Sequence, residues 1–281
     1  MKRIILSLIA IMTCGLASAQ IQMPPASPTF ELKGTVGLAE VKVVYSRPSA
    51  RGRKVAGELI PYNEVWRTGA NASTKISFSS DVMLEGNPVP AGEYALYTEF
   101  TEEEATIILS KNLSWWGAIG YDSKDDLLRF KVPVKHPSSM YETFTISFSD
   151  FTMNSANLNL KWEHTKAMFK IESKVDEIVM AQIKEQVIDN TPSNPGVYFQ
   201  AATYYYDTDR DANMALGWVN KAIAASPQKQ YWVVHLQAKL LARLGKNAEA
   251  KAAAEASMKL AEKEGNPDYV RLNEKLIASL K

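Results

Sequence analysis

Residues 157–187, NLNLKWEHTKAMFKIESKVDEIVMAQIKEQV, change period partway through. In the first half Leu158, Leu160 and Trp162 alternate with Asn157, Asn159 and Lys161, and Phe169 and Ile171 follow at the same spacing. That is the period of two of a strand with one buried face. After Ser173 the apolar residues are Val175, Ile178, Val179, Ile183 and Val187, at the three- and four-residue spacing of an amphipathic helix. The chain therefore reads as β followed by α, with the change near residue 173.

Upstream, the period of two recurs. Val41, Val43 and Tyr45 alternate with polar neighbours, as do Ile76 and Phe78, then Leu128, Phe130, Val132 and Val134, then Phe144, Ile146 and Phe148. Turn signals separate them: EGNP at 85–88, PAG at 90–92, TEEE at 101–104 and EHTK at 163–166. Alternation with one wet face belongs to an antiparallel sheet. The expectation over residues 30–173 is an antiparallel β-sandwich of jelly-roll type.

Downstream, residues 174–281 read as six helices paired as hairpins. Ser173 is placed to cap the first, Asn194-Pro195 opens the second, and Gly245 and Gly265 stop later ones. Asn247 and Asn266-Pro267 are placed to start the last two. In ANMALGWVNKAIAASP (212–227), Ala215, Ala222 and Pro227 have the spacing of the second helix of a tetratricopeptide repeat, with Tyr206 as the aromatic of the first. Ala250 and Ser257 repeat the small positions about 35 residues on, with Leu241 at the tyrosine's place and no second proline. Such a hairpin repeat predicts a surface for a protein partner.

The amino terminus reads as a signal peptide over residues 1–19. Lys2 and Arg3 precede an apolar run from Ile4 to Met12, and Ala17-Ser18-Ala19 supplies a cleavage site before Gln20. Residues 20–29 then form a linker. The expected location is periplasmic. Lipidation at Cys14 is the alternative, disfavoured by Thr13 before it. Cys14 is the only cysteine, and the formal charge is +1, or −1 without Lys2 and Arg3. A near-neutral chain lacks the basic excess of a nucleic-acid binder. No later stretch reaches membrane-spanning length.

Two segments carry unusual chemistry. Residues 47–72, RPSARGRKVAGELIPYNEVWRTGANA, connect two strands and exceed the ordinary length of a structureless loop, about 12–15 residues. Arg47, Arg51, Arg53, Lys54 and Arg67 face only Glu58 and Glu64 in charge. Arginine forks suit carboxylate or phosphate, and Trp66 offers a flat face to a sugar or ring, with Asn71 beside it. The competing reading is that Arg67 and Arg47 bond loop carbonyls and the two glutamates, with Glu64 the nearest carboxylate to Arg67, while Trp66 plugs the end of the sandwich. The second segment, around Trp115-Trp116-Gly117, places two indoles side by side. Neighbours on a strand point to opposite faces, so in a turn at least one ring is expected outside, suited to carbohydrate or protein; the competing reading puts one ring in the core and the other under a helix of the second domain. Arg47, Arg51, Arg53, Trp66, Arg67, Asn71, Trp115 and Trp116 are the candidate ligand-binding residues.

No catalytic pattern competes. His136, His164 and His235 lack metal-ligand spacing, and no nucleophile elbow, phosphate loop or dinucleotide fingerprint occurs. No metal or cofactor is expected. The first reading is a binding or adaptor protein. The alternatives are a hydrolase of a periplasmic glycan or peptide using Glu64 and the arginine-rich loop, with Asp122 or Asp126 as partner carboxylate, or a structural component of the envelope.

VYSRPSARGRK (44–54), LIPYNEVWRTGANASTKISFS (59–79), VPAGEYALYT (89–98) and WWGAIGYD (115–122) occur in order. Together they resemble the bacterial family catalogued as domain of unknown function 2911, over about residues 28–172. The resemblance implies an exported protein in which helical repeats often follow. It supplies no activity. It implies that Arg47, Arg53, Trp66, Arg67, Asn71, Trp116 and Gly117 stand at motif positions of that family.

Overall fold

A computed structural model describes residues 23–280. The expected signal peptide and Cys14 lie outside the described residues. The chain divides into two compact units, the first ending at Val175 and the second beginning at Asp176.

Among the described residues the first unit holds twelve strands: β1 (Thr29–Val36), β2 (Ala39–Ser46), β3 (Val65–Trp66), β4 (Thr74–Phe78), β5 (Val82–Leu84), β6 (Asn87–Val89), β7 (Gly92–Phe100), β8 (Glu104–Ser110), β9 (Asp126–Lys135), β10 (Tyr141–Ser149), β11 (Ser155–Glu163) and β12 (Thr165–Ser173). All pairings between them are antiparallel. The order is β1-β2-β4-β7-β8-β9-β12-β11-β10, with β3 on β7 and the β5–β6 hairpin on β12.

Where a sandwich is expected, the strands form one nearly closed, barrel-like sheet. The closing contact is made by the chain just after β2. Phe144 N donates to Pro48 O at 2.8 Å and Ala50 N to Glu142 O at 2.7 Å, and Ser49 bridges Thr143. Closure pairs edges that would otherwise stay open. On the other side β9 pairs along its length with β8 but meets β12 only at Val134 and Lys135.

The inward faces are the ones the alternation marks. Val41, Val43, Ile76, Leu158, Phe169 and Ile171 are fully buried in one core. Each such side chain stabilises the fold by about 1.5–3 kcal/mol. Asn159 departs from the pattern: expected on the wet face, it is buried, and its amide donates to Ser147 O at 3.1 Å and Ser149 Oγ at 2.8 Å.

The second unit contains six helices: α1 (Val175–Ile183), α2 (Pro195–Asp207), α3 (Ala212–Ala225), α4 (Tyr231–Arg243), α5 (Asn247–Lys263) and α6 (Pro267–Ser279). A wider turn at Lys184–Ile188 extends α1. Asn194 and Asn266 cap α2 and α6, each accepting from backbone N–H of the first turn and each followed by proline. Asp211, unmarked by sequence, caps α3. Two expected caps fall elsewhere. Ser173 belongs to β12, where its hydroxyl accepts from Leu38 N at 3.3 Å. Lys246, rather than Asn247, stands at the cap of α5. Ala215, Ala222, Ala250 and Ser257 are all buried, as small residues between close-packed helices must be.

Candidate functional site

The segment EVWRTGAN (64–71) is a short strand followed by a tightly bound turn. Val65 and Trp66 pair with Glu99 and Thr98. Trp66 turns into the end of the barrel, where its ring lies 5.0 Å from Phe144 and stacks on Trp162 at 5.8 Å. Thr68 takes a left-handed φ of 53° and is fully buried. Its hydroxyl pairs with that of Thr98 at 3.1 Å, and its carbonyl accepts from Thr74 Oγ1 at 2.6 Å. At Gly69 a Cβ would stand 2.9 Å from the backbone oxygen of Ser46, so only glycine fits there. Asn71, also left-handed, donates from its amide to Ser27 O and Ser46 Oγ.

The WWG turn is fastened on the same side. Trp115 packs outside the sheet against Tyr97 and Tyr121. Tyr97 donates its hydroxyl proton to Gly117 O at 3.1 Å, and Lys75 Nζ donates to Leu113 O at 2.8 Å. Burial holds the Lys75 amine below its ordinary pKa. With these ties made, Trp116 is left 65% exposed.

Both segments border one cleft of about 430 Å³ at the barrel end. Arg53, Arg67, Trp66, Asn71 and Trp116 line it, together with Trp162. Arg67 Nη1 donates to Asn71 O at 2.9 Å. Arg53 donates from Nε to Ala50 O and from Nη2 to Ser49 O, both at 2.9 Å. Neither arginine has a carboxylate partner among the described residues. Glu64, read as the nearest partner for Arg67, is exposed and outside the lining. Among the described residues no Asp, Glu, His or Cys lines the cleft. A small apolar cavity of about 20 Å³, enough for a methyl-sized group, abuts it behind Ile60, Trp66 and Trp162.

Three candidates stand elsewhere. Arg47 is a structural tie, donating from Nε to Phe144 O at 3.1 Å and from Nη2 to Thr145 Oγ1 at 2.7 Å, with its guanidinium over the Phe30 ring. Arg51 is exposed and reaches Ala26 O at 3.2 Å, while its backbone N–H is held by Glu142 at 2.7 Å. Trp115 is in the outer aromatic cluster. Glu163 likewise accepts from Val55 N, so the nearby carboxylates fasten the arginine loop rather than face the cleft.

None of the carboxylates named for a hydrolase, Glu64, Asp122 and Asp126, lines the cleft. Asp126 binds the Tyr121 hydroxyl at 2.6 Å and Arg129 Nε at 3.0 Å. Burial, and then the Asp126 carboxylate, push the Tyr121 phenol far up, and burial raises Asp126 itself. Among the described residues no three His, Cys, Asp or Glu side chains are placed to hold a metal. Among the described residues no helix is long and apolar enough to cross a membrane. Sequence reading missed Trp162 and Ser27 as cleft residues. Trp162 alternates as an ordinary core residue, and nothing local marks it as the last inward side chain before the mouth.

No curated protein and no solved structure matches the chain. A family model matches residues 27–171, which include β1 to β11, most of β12 and both cleft-lining segments. The chain belongs to the family described as protein of unknown function DUF2911.

Proposed function

We propose that this is a binding protein, and that its β unit holds a small anionic ligand in the cleft through Arg53 and Arg67. One observation carries the reading. Two segments far apart in sequence meet at a cleft where, among the described residues, the only charged lining side chains are these two arginines. Each is oriented by backbone carbonyls, which leaves part of its fork unused and lowers the entropy lost on binding. The absence of a lining carboxylate favours binding over glycoside hydrolysis, which needs two carboxyl groups across the scissile bond.

The helical unit is, in the same proposal, a tetratricopeptide-like scaffold for a protein partner. Its support is the set of small residues at 215, 222, 250 and 257. A periplasmic location rests on the charged start and the ASA site. The β unit is read as a variant of the jelly-roll class and as the ligand-binding module, joined near residue 173 to the partner-binding one.

Tryptophan fluorescence tests the cleft, because Trp66, Trp116 and Trp162 border it. A panel of small carboxylates and phosphates, with neutral analogues, should give saturable changes for the anions alone. Arg67→Gln should weaken them about tenfold, which corresponds to about 1.4 kcal/mol. Equal response to neutral analogues, or none to any anion, contradicts the proposal.

A further inference from the structure

We infer that the ligand of this cleft is an acidic sugar: a pyranose ring stacked on Trp116, with its carboxylate or phosphate on Arg67 and Arg53. The inference rests on the anion-binding reading above and adds the scaffold that bears the charge.

Trp116 carries the argument. Its ring is 65% exposed at the rim of the cleft. The turn that presents it is fixed on both sides. Leu113 O is held by Lys75, Asn112 Nδ2 donates to Asp125 Oδ2 at 2.9 Å, and Gly117 O is held by Tyr97. Trp115 anchors the same turn in the outer cluster. The fastening therefore needs no second indole, yet one is presented to water from a backbone held on both sides. An exposed aromatic face on a fastened turn, beside cations that have no carboxylate partner among the described residues, is a stacking platform whose backbone is already in place.

The rest of the wall selects the kind of ring. Beyond the indoles the cleft is largely polar, with Ser27, Asn71 and the two guanidinium groups. A flat aromatic ligand would desolvate these groups without giving them partners, which is unfavourable. A pyranose offers an apolar C–H face to the indole and hydroxyls to the polar wall. The Asn71 amide nitrogen is already used on Ser27 O and Ser46 Oγ, so its side-chain oxygen is the group left to accept from a hydroxyl. The volume, about 430 Å³, lies within the usual range for small-molecule sites, about 300–1,000 Å³.

Calorimetric titration of the intact chain tests this with glucuronic acid, N-acetylmuramic acid and glucose 6-phosphate, against glucose, benzoate and inorganic phosphate. At least one sugar acid should bind ten times tighter than glucose, benzoate and phosphate. Carboxylate and phosphate arms then separate the two sources of charge. Trp116→Ala should weaken the sugar acid about tenfold while leaving the melting temperature and any benzoate affinity unchanged. If benzoate or phosphate binds as tightly as every sugar acid, or Trp116→Ala leaves sugar-acid affinity unchanged, the acidic-sugar assignment is overturned and the anion cleft stands. If no anion binds at all, both fall.

Discussion

The guanidinium of Arg67 lies directly on the backbone of Gly117. A Cβ built on Gly117 would stand 2.7 Å from Arg67 Nη1 and 2.9 Å from Cζ. Gly117 also has a left-handed φ of 73°. The two motif segments are thus fitted to one another: the glycine of one makes room for the arginine of the other.

Gly117→Ala is expected to cost about 1–2 kcal/mol from the left-handed backbone alone, or about 2–8 °C in melting temperature for a unit of this size. It should also displace Arg67 and weaken anion binding. Urea melts of Gly117→Ala in wild-type and Arg67→Ala backgrounds check the fit. The larger cost should appear where the guanidinium is present.

Arg47 and Arg51 should separate in stability. Arg47→Ala removes two hydrogen bonds that join the end of β2 to β10 and leaves Phe144 O without its donor. The expected loss is about 1–3 kcal/mol. Arg51→Ala keeps the backbone N–H that Glu142 accepts and should stay within about 0.5 kcal/mol of wild type. Equal losses in chemical denaturation would contradict the assignment of Arg47 as the tie.

The tryptophans should divide in the same experiment. Trp66 packs against Phe100, Phe144 and Trp162, so Trp66→Ala opens a cavity in the barrel end and is expected to cost about 3–5 kcal/mol. Trp116→Ala, on the exposed rim, should change stability by less than about 0.5 kcal/mol. A large loss from Trp116→Ala would mean that the ring supports the fold.

Acid should weaken the helical unit through His235. Asn273 donates from its amide to Ser257 Oγ and Tyr269 O, which turns its oxygen towards His235 Nδ1 at 2.7 Å. Burial holds the imidazole below its ordinary value of 6.5, and the Asn273 bond opposes that only in part. Well above pH 6.5 the ring is neutral in folded and unfolded chains and contributes no pH dependence. As pH falls from 6.5 towards the depressed folded value, the unfolded chain takes up the proton first and stability drops. Denaturation of wild type and His235→Gln across pH 7.5 to 5 checks this: the difference between them should be flat above pH 7 and shift against wild type below 6.5.

Much of this molecule is written locally. The alternation of Val41, Val43 and Tyr45 names the face that is buried, and the change of spacing after Ser173 marks where strands give way to helices. Asn194-Pro195 and Asn266-Pro267 begin helices because capping needs only the next three residues. The two chemically unusual segments, and within them Arg53, Arg67, Trp66, Asn71 and Trp116, also stand out from residue type and loop length. Only the tertiary structure decides how these pieces join. Period two reports burial of a face and is silent on strand partners, so a sandwich and a nearly closed barrel look alike until Pro48 and Ala50 meet β10. The arginines differ for the same reason. Arg47 is structural because Phe144 O, 97 residues away, lies within its reach, whereas Arg67 faces a cleft because Gly117 gives it room. A side chain's role depends on which groups the fold carries to it across long loops, and local sequence holds no record of that distance.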